Sequence, residues 1–240
     1  MNMKIQLPTI IVLCLGLVLF VTFTFMQKGG DGRDRESLNL ESEEFKLMRK
    51  HGQAAFDTKK YKQAIQIYEE ALRMRPENAE VHNDLGATYY AFGLEYAGPS
   101  WPAWDGDLAG KTKKEALQEL NTAIDQTGSG YVVLKTDKPE VAEAIIEKAK
   151  GIGAYIETQP WKDYTEIHIL VGKTKDFLLK ARNSYIRSTD IKPTYSPAYR
   201  NLGSLYMKIG RTDLALSYLE NAYQLDPRDE ELGEYLSQFR

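Results

Sequence analysis

Apolar and polar residues alternate along this chain with two different periods. In YKQAIQIYEEALRMRP, from Tyr61 to Pro76, Ala64, Tyr68 and Ala71 follow one another in steps of four and three, and Pro76 comes five later. In LALSYLENAYQLDP, from Leu214 to Pro227, Ala215, Leu219, Ala222 and Pro227 repeat those offsets. Such steps put the marked residues on one helical face. The alanines let a neighbouring helix approach closely, and the proline ends the helix. TKKEALQELNTAI carries Ala116, Leu120 and Ala123 in the same places, and TKDFLLKARNSYIRSTDIKP carries Ala181, Tyr185 and Pro193. Between these last two stretches the period changes. YVVLKT (131–136), AYIET (154–158) and TEIHILV (165–171) are β-branched and aromatic, and predict strands, the last two joined by a turn at QPWKDY. DKPEVAEAIIEKAKG (137–151) predicts a helix with Asp137 as cap, Pro139 at its start and Gly151 past its end.

A second submotif, Leu-Gly-x-x-Tyr, occurs at 85–89 and again at 202–206. Together with the alanine and proline positions it resembles the tetratricopeptide repeat, a 34-residue helix-turn-helix. The resemblance covers roughly 43–93, 111–128 and 174–240. It implies a mainly α fold, a helix-turn-helix solenoid carrying a small β-α-β-β insertion. In the 34-residue frame the first repeat runs from Phe45 to Asn78, and the second begins at Ala79. Ala116 follows Ala64 by 52 residues, which leaves 18 extra residues inside the second repeat. Most of them are GPSWPAWDGDLAG (98–110), too rich in Pro, Gly and Asp for a regular helix.

The predicted organisation is therefore repeats 1 and 2 over 42–128, with repeat 2 interrupted by a loop at 94–110. The insertion follows over 129–173. A partial repeat, a final repeat and a capping helix fill 174–240. With the helix after it, the insertion resembles an incomplete ferredoxin-like arrangement, a fold-level analogy. The partial repeat has no recognisable first helix.

The N-terminus adds a different element. LPTIIVLCLGLVLFVTFTFM, from Leu7 to Met26, is 20 residues without a charge. At ~1.5 Å per residue a helix of that length crosses a hydrocarbon layer of ~30 Å. A cleaved signal peptide has a shorter apolar run and a small-residue cleavage site, and neither is present. The expectation is one transmembrane anchor over 1–26 and a polar tether over 27–41. The charges flanking the span, Lys4 before it and Lys28, Arg33 and Arg35 after it, leave orientation open. A short leading tail favours export of the soluble part to the extracytoplasmic side.

Composition then removes function classes. Lys and Arg number 31 against 34 Asp and Glu, for a net charge of −3, which is no nucleic-acid footprint. The single Cys14 lies in the apolar run and can form no internal disulfide. His51, His82 and His168 have no metal-ligand spacing, and no phosphate loop occurs. Neither a catalytic set, a metal nor a cofactor is expected.

The resemblance implies instead a concave groove, lined by the first helix of each repeat, that takes a protein or peptide partner. The groove positions are Arg49, Gln53 and Phe56, then Asn83, Ala87 and Tyr90, then Arg200, Ser204 and Met207. Arg and Asn suit carboxylates and peptide backbone. The family's carboxylate clamp is not reproduced, because Asp84 and Asn201 stand in its places. Trp101 and Trp104 join the candidate binding residues, and self-association through the aromatic loops is a further possibility. These features describe a membrane-anchored scaffold acting in assembly or maturation of a complex. The alternative is a ligand-binding or enzymatic module centred on 129–173, which would use Lys135, Asp137, Glu157 and His168.

Overall fold

The computed structural model describes residues 33–239, with side chains from residue 42 onward. The expected anchor and residues 27–32 of the expected tether lie outside the described residues. Among the described residues no helix is long and apolar enough to cross a membrane.

Helix α1 spans Arg33–Asp57, so the tether expected over 27–41 is helical from residue 33. Arg, Glu and Leu are strong helix formers and dominate that stretch. Helix α2 (Tyr61–Met74) follows, then α3 (Ala79–Ala97), whose N-terminus is capped by Asn78 accepting from the Val81 amide at 2.9 Å. Four more helices close the chain: α6 (Gly172–Ile191), α7 (Ser196–Lys208), α8 (Thr212–Leu225) and α9 (Glu230–Ser237).

The helix partner of α3 is α6, and α7 packs along α8. Glycines report this pairing directly. A methyl group at Gly52 would meet the Tyr68 ring at 2.5 Å, and one at Gly203 would meet Leu219 at 2.6 Å. In each repeat the two residues are 16 apart. Gly86 makes the same contact with Tyr185, 99 residues away, where a methyl would come within 2.7 Å. The excess is 83 residues, the amount by which Ala64 to Ala181 exceeds one 34-residue period. Among the described residues there are thus three helical hairpins, α1/α2, α3/α6 and α7/α8, with α9 packed on the last.

This corrects the predicted organisation. The stretch 113–127 is not the second helix of repeat 2, and 174–190 is not a partial repeat. Everything between α3 and α6 is one insertion. It comprises β1 (Trp104–Asp107), α4 (Lys113–Thr127), β2 (Gly130–Thr136), α5 (Pro139–Gly151), β3 (Tyr155–Pro160) and β4 (Thr165–Val171). Ala116, Leu120 and Ala123 are fully buried, but against the insertion's own sheet. Steps of four and three mark any helix that lays small residues on a close neighbour, so their match to the repeat frame was a coincidence of period.

The sheet order is β1-β2-β4-β3, with β1 parallel to β2 and the other pairs antiparallel. The expected β-α-β-β unit becomes β-α-β-α-β-β, and the ferredoxin-like analogy falls because the helix after it belongs to the solenoid. Strand β1 runs through WDGD, inside the stretch read as irregular, because β2 offers it a backbone edge. Asp137 is not the cap of α5; Lys138 holds that position, and its amide donates to Thr136 Oγ1 at 3.2 Å. Val132, Leu134, Ile167 and Ile169 alternate onto one face and are fully buried beneath α4 and α5. The insertion is pinned at its root. Thr174 Oγ1 donates to the Gly93 carbonyl at 3.2 Å, and its amide donates to Ser129 Oγ at 2.9 Å.

Candidate functional site

Strand alternation decides what the second face of the sheet carries. Tyr131, Val133 and Lys135 on β2, and Glu166 and His168 on β4, point away from the α4/α5 layer. Asp105 on β1 is in register with Val133 and joins them. This face looks onto α7, the first helix of the third hairpin. Between them lies a cleft of about 640 Å³, lined on the helical side by Arg200, Ser204, Met207 and Lys208 and closed by Leu232 and Tyr235 of α9. That volume suits a small ligand or a few residues of peptide.

Three contacts hold the sheet over the helix. The Trp101 indole N–H donates to the Lys208 carbonyl at 2.8 Å, the Lys208 ammonium lies 5.1 Å over the indole, and the ring stacks on Tyr131 at 4.8 Å. The His168 ring presses on Gly210, where φ is +81° and a Cβ would stand 2.3 Å from the imidazole. Only glycine meets both demands at that turn. Arg211 donates to Glu157 at 2.6 Å and also grips Asp213, whose carboxyl it holds down at about 2.

The chemistry of the cleft centres on His168, which is 6% exposed. The Tyr131 hydroxyl is hydrogen-bonded to Nδ1, while Nε2 is buried with no hydrogen-bond partner. Burial pushes the imidazole below the ordinary histidine value, outweighing the pull of Glu166 and Glu157, so the ring is neutral at neutral pH. Of its two tautomers, the one with the N–H on Nε2 fits its neighbours better. Tyr131 then donates to Nδ1 and satisfies its own hydroxyl, and Nε2–H faces Glu166 Oε2 at 3.6 Å rather than opposing it with a lone pair. Lys135 is shared between two loose ion pairs, 3.6 Å from Asp105 and 3.7 Å from Glu166.

The groove residues read from the sequence divide sharply. Arg200 and Met207 line the cleft, as does Trp101. Arg200 is, however, tied to Asp229 at 2.8 Å and Glu231 at 2.6 Å. Arg49 is tied to Glu80, and to Asp84 at 2.8 Å. Both arginines brace a helix to the next but one, α1 to α3 and α7 to α9, so neither presents a free guanidinium to a carboxylate ligand. Asn83 is buried and accepts from Asn201 at 2.9 Å, bridging α3 to α7. Gln53 donates to Asp57 on its own helix, and Phe56 packs edge-on against Tyr61. Tyr90 is half-buried, and its burial pushes the phenol up. None of Arg49, Gln53, Phe56, Asn83 and Tyr90 reaches the cleft. Trp104 packs against the insertion's core, with its indole nitrogen buried and unpartnered, and does not line the cleft either. Of the four polar residues assigned to the alternative module, Lys135 and His168 come together, Asp137 lies at the far end of β2, and Glu157 is taken by Arg211. Tyr131, Glu166 and Tyr235 were missed. The alternation in TEIHILV, with Glu166 and His168 interleaved with Ile167 and Ile169, was the available signal for the polar face of β4.

Comparison with known proteins agrees with the helical part of this picture. Residues 52–93 match a model described as TPR repeat, and residues 196–229 match a tetratricopeptide repeat model. The chain carries a tetratricopeptide repeat domain, and domains of that class are protein–protein interaction scaffolds. No match was found among curated proteins. Similar solved structures include the Arabidopsis OM64 TPR domain, at 12% identity over 83% of this chain and 97% of that one, with a TM-score of 0.45. The first TPR domain of human RPAP3 is similar at 11% identity over 81% and 87%, with a TM-score of 0.44. The Sgt2 TPR domain from Aspergillus fumigatus is similar at 15% identity over 81% and 76%, with a TM-score of 0.42.

Proposed function

We propose that this protein is an adaptor that holds a segment of a protein partner in the cleft between its inserted sheet and the third repeat. One observation carries the reading: the groove positions Arg200, Ser204 and Met207 are roofed by the sheet, so that an open groove becomes a two-walled cleft. A partner seated there is read by the repeat on one side and by the insertion on the other. We further propose that the uncharged segment 7–26 anchors the adaptor in a bilayer, with the soluble part on the extracytoplasmic side, where it serves assembly or maturation of a membrane-associated complex. The support for the anchor is the length and polarity of that segment alone.

The same cleft favours the alternative, a module that binds a small ligand, because it gathers Lys135 and His168. The two readings separate in one experiment. A photo-crosslinker at the exposed Ser204 of the full-length chain, irradiated in its native membrane, should trap a defined protein. The same group at Lys62, exposed on α2, should not, and Met207→Glu should abolish the Ser204 adduct. Equal adducts at both positions, or one indifferent to Met207→Glu, would remove the cleft from the account. A cleft that protects Ser204 without a protein adduct supports the small-ligand module.

A further inference from the structure

One polar group in the cleft has nothing to bond, and its neighbour is held only loosely. His168 Nε2 is buried without a partner, its side chain 7% exposed, and the Glu166 side chain, 16% exposed, meets its nearest neighbours only at 3.6 and 3.7 Å. A buried donor left unmade is costly, and a half-buried carboxylate has acceptor capacity to spare. The two sit on one face of β4, two residues apart, with Nε2 and Oε2 separated by 3.6 Å. One is a donor and the other an acceptor, side by side at the floor of the cleft. Val133, Met207, Leu232 and Tyr235 supply apolar surface in the lining around them.

Ligand classes are narrowed by charge. The lining holds Lys135, Arg200 and Lys208 against Asp105, Glu166 and Glu231, three of each sign. Arg200 is paired, Lys208 covers Trp101, and Lys135 is shared between two carboxylates. Neither an anion nor a cation finds a net field here. A neutral group that both donates and accepts does. An extended peptide residue is such a group, since its own N–H and C=O leave the chain on the same side, as when a residue in an antiparallel ladder exchanges both bonds with its opposite.

Resting on the adaptor reading above, we propose that the cleft grips one extended residue of the partner through its backbone. The residue's carbonyl accepts from His168 Nε2–H, its amide N–H donates to Glu166, and its side chain, which is apolar, lies between Met207, Leu232 and Tyr235. Tyr131 is a positioning residue: its hydroxyl, donating to Nδ1, keeps the proton on Nε2. The Trp101–Lys208 clasp sets the width of the cleft.

The test uses the full-length chain in detergent micelles, with ¹⁵N-labelled histidine, and N-acetyl-leucine N′-methylamide as probe. Only three histidines report, and His51 and His82 serve as internal controls. Without probe, the ¹⁵N shifts should show His168 as the Nε2–H tautomer. With probe, its Nε2–H signal should move saturably, with a Kd of about millimolar order, while His51 and His82 stay still. Replacing the probe's leucine N–H by an ester oxygen, or making Glu166→Gln, should weaken binding about tenfold, the worth of one bond to a charged group. His168→Phe should abolish binding, and His168→Gln, which keeps an N–H donor at the same reach, should restore most of it. An Nδ1–H tautomer, or a probe that leaves the His168 signal unmoved up to its solubility limit, overturns the proposal. A partner still trapped at Ser204 in both Glu166→Gln and His168→Phe overturns it while leaving the adaptor reading standing. Loss of all trapping at Ser204 in the unmodified chain removes the reading beneath it.

Discussion

The repeats and the insertion bury their cores with different proportions of small and branched residues. In the hairpins alanine predominates among the fully buried apolar positions, at Ala64, Ala71, Ala181, Ala198, Ala215 and Ala222, beside Val81 and Leu202. The alanines bring helices close, and a few rings such as Tyr68 and Tyr185 fill the gaps over glycines. In the insertion branched residues predominate, at Leu108, Leu120, Val132, Leu134, Ile145, Ile167 and Ile169, and alanine is confined to the helices, at Ala116, Ala123 and Ala149. A pleated sheet under two helices needs bulk, while crossed helices need clearance. The difference teaches where each region is fragile. The solenoid suffers when something is added, and the insertion when something is removed.

The sharpest break of that contrast comes from truncation. Leu134→Ala should cost the insertion about 2–5 kcal/mol, the range for emptying a buried leucine site. Hydrogen exchange should then accelerate in α4, α5 and the sheet while α8 keeps its protection. Uniform loss over both regions would show that they unfold as one. Next in size is addition. Gly86→Ala drives a methyl into Tyr185 and should cost about 1–3 kcal/mol in urea denaturation. Gly151→Ala, at the open end of α5, should lie within about 0.5 kcal/mol of the parent, as surface changes do. Equal costs would mean that the hairpins do not depend on their glycines.

Smaller effects sharpen the seam between the regions. Trp101→Phe keeps the stack on Tyr131 but loses the bond to Lys208, and should lower stability by about 1 kcal/mol. Its clearer signature is faster exchange at the α7 C-terminus. Finally, His168 has its proton affinity depressed by burial in the fold. Below the ordinary histidine value of about 6.5 the unfolded chain takes up a proton that the native one resists. Stability is therefore full above that pH and declines as pH falls through it towards the lower native value. His168→Gln should flatten that part of the pH profile, and an unchanged profile would place the titration elsewhere.

How much of this was legible differs between the two regions for a physical reason. A repeat writes its contacts at a fixed spacing, so Leu85, Gly86 and Tyr89 announced α3, and Ala215, Leu219 and Ala222 announced α8. The partner of α3 was not legible from period alone, because the amphipathic face of α4 satisfies the same offsets while packing on a sheet. The Gly86–Tyr185 contact would have been the better ruler, since it carries the 16-residue spacing plus the insertion. Strands β2 and β4 were visible because they are rich in β-branched and aromatic residues. Strand β1 was not, since WDGD is held by a neighbour's backbone and not by its own side chains. The cleft was half legible. Arg200, Ser204, Met207 and Trp101 were named, but nothing in the order of residues said that His168 and Glu166 would face them. The arginines were misjudged because a guanidinium looks equally available on paper whether or not its own chain supplies the carboxylates.

The insertion is rooted in the second repeat through the Ser129–Thr174 contact, yet it clasps the third at Lys208, Gly210 and Arg211. Repeat arrays owe their springiness to the fact that each unit touches only the next along a single seam. Here one joint has a second seam, offset from the first, and two offset seams act as a hinge with its pin locked. Bending between the second and third repeats would have to tear the Trp101 clasp or the Arg211–Glu157 pair. The spring is therefore stiff at one coil, and a partner seated there meets a jaw whose opening is preset.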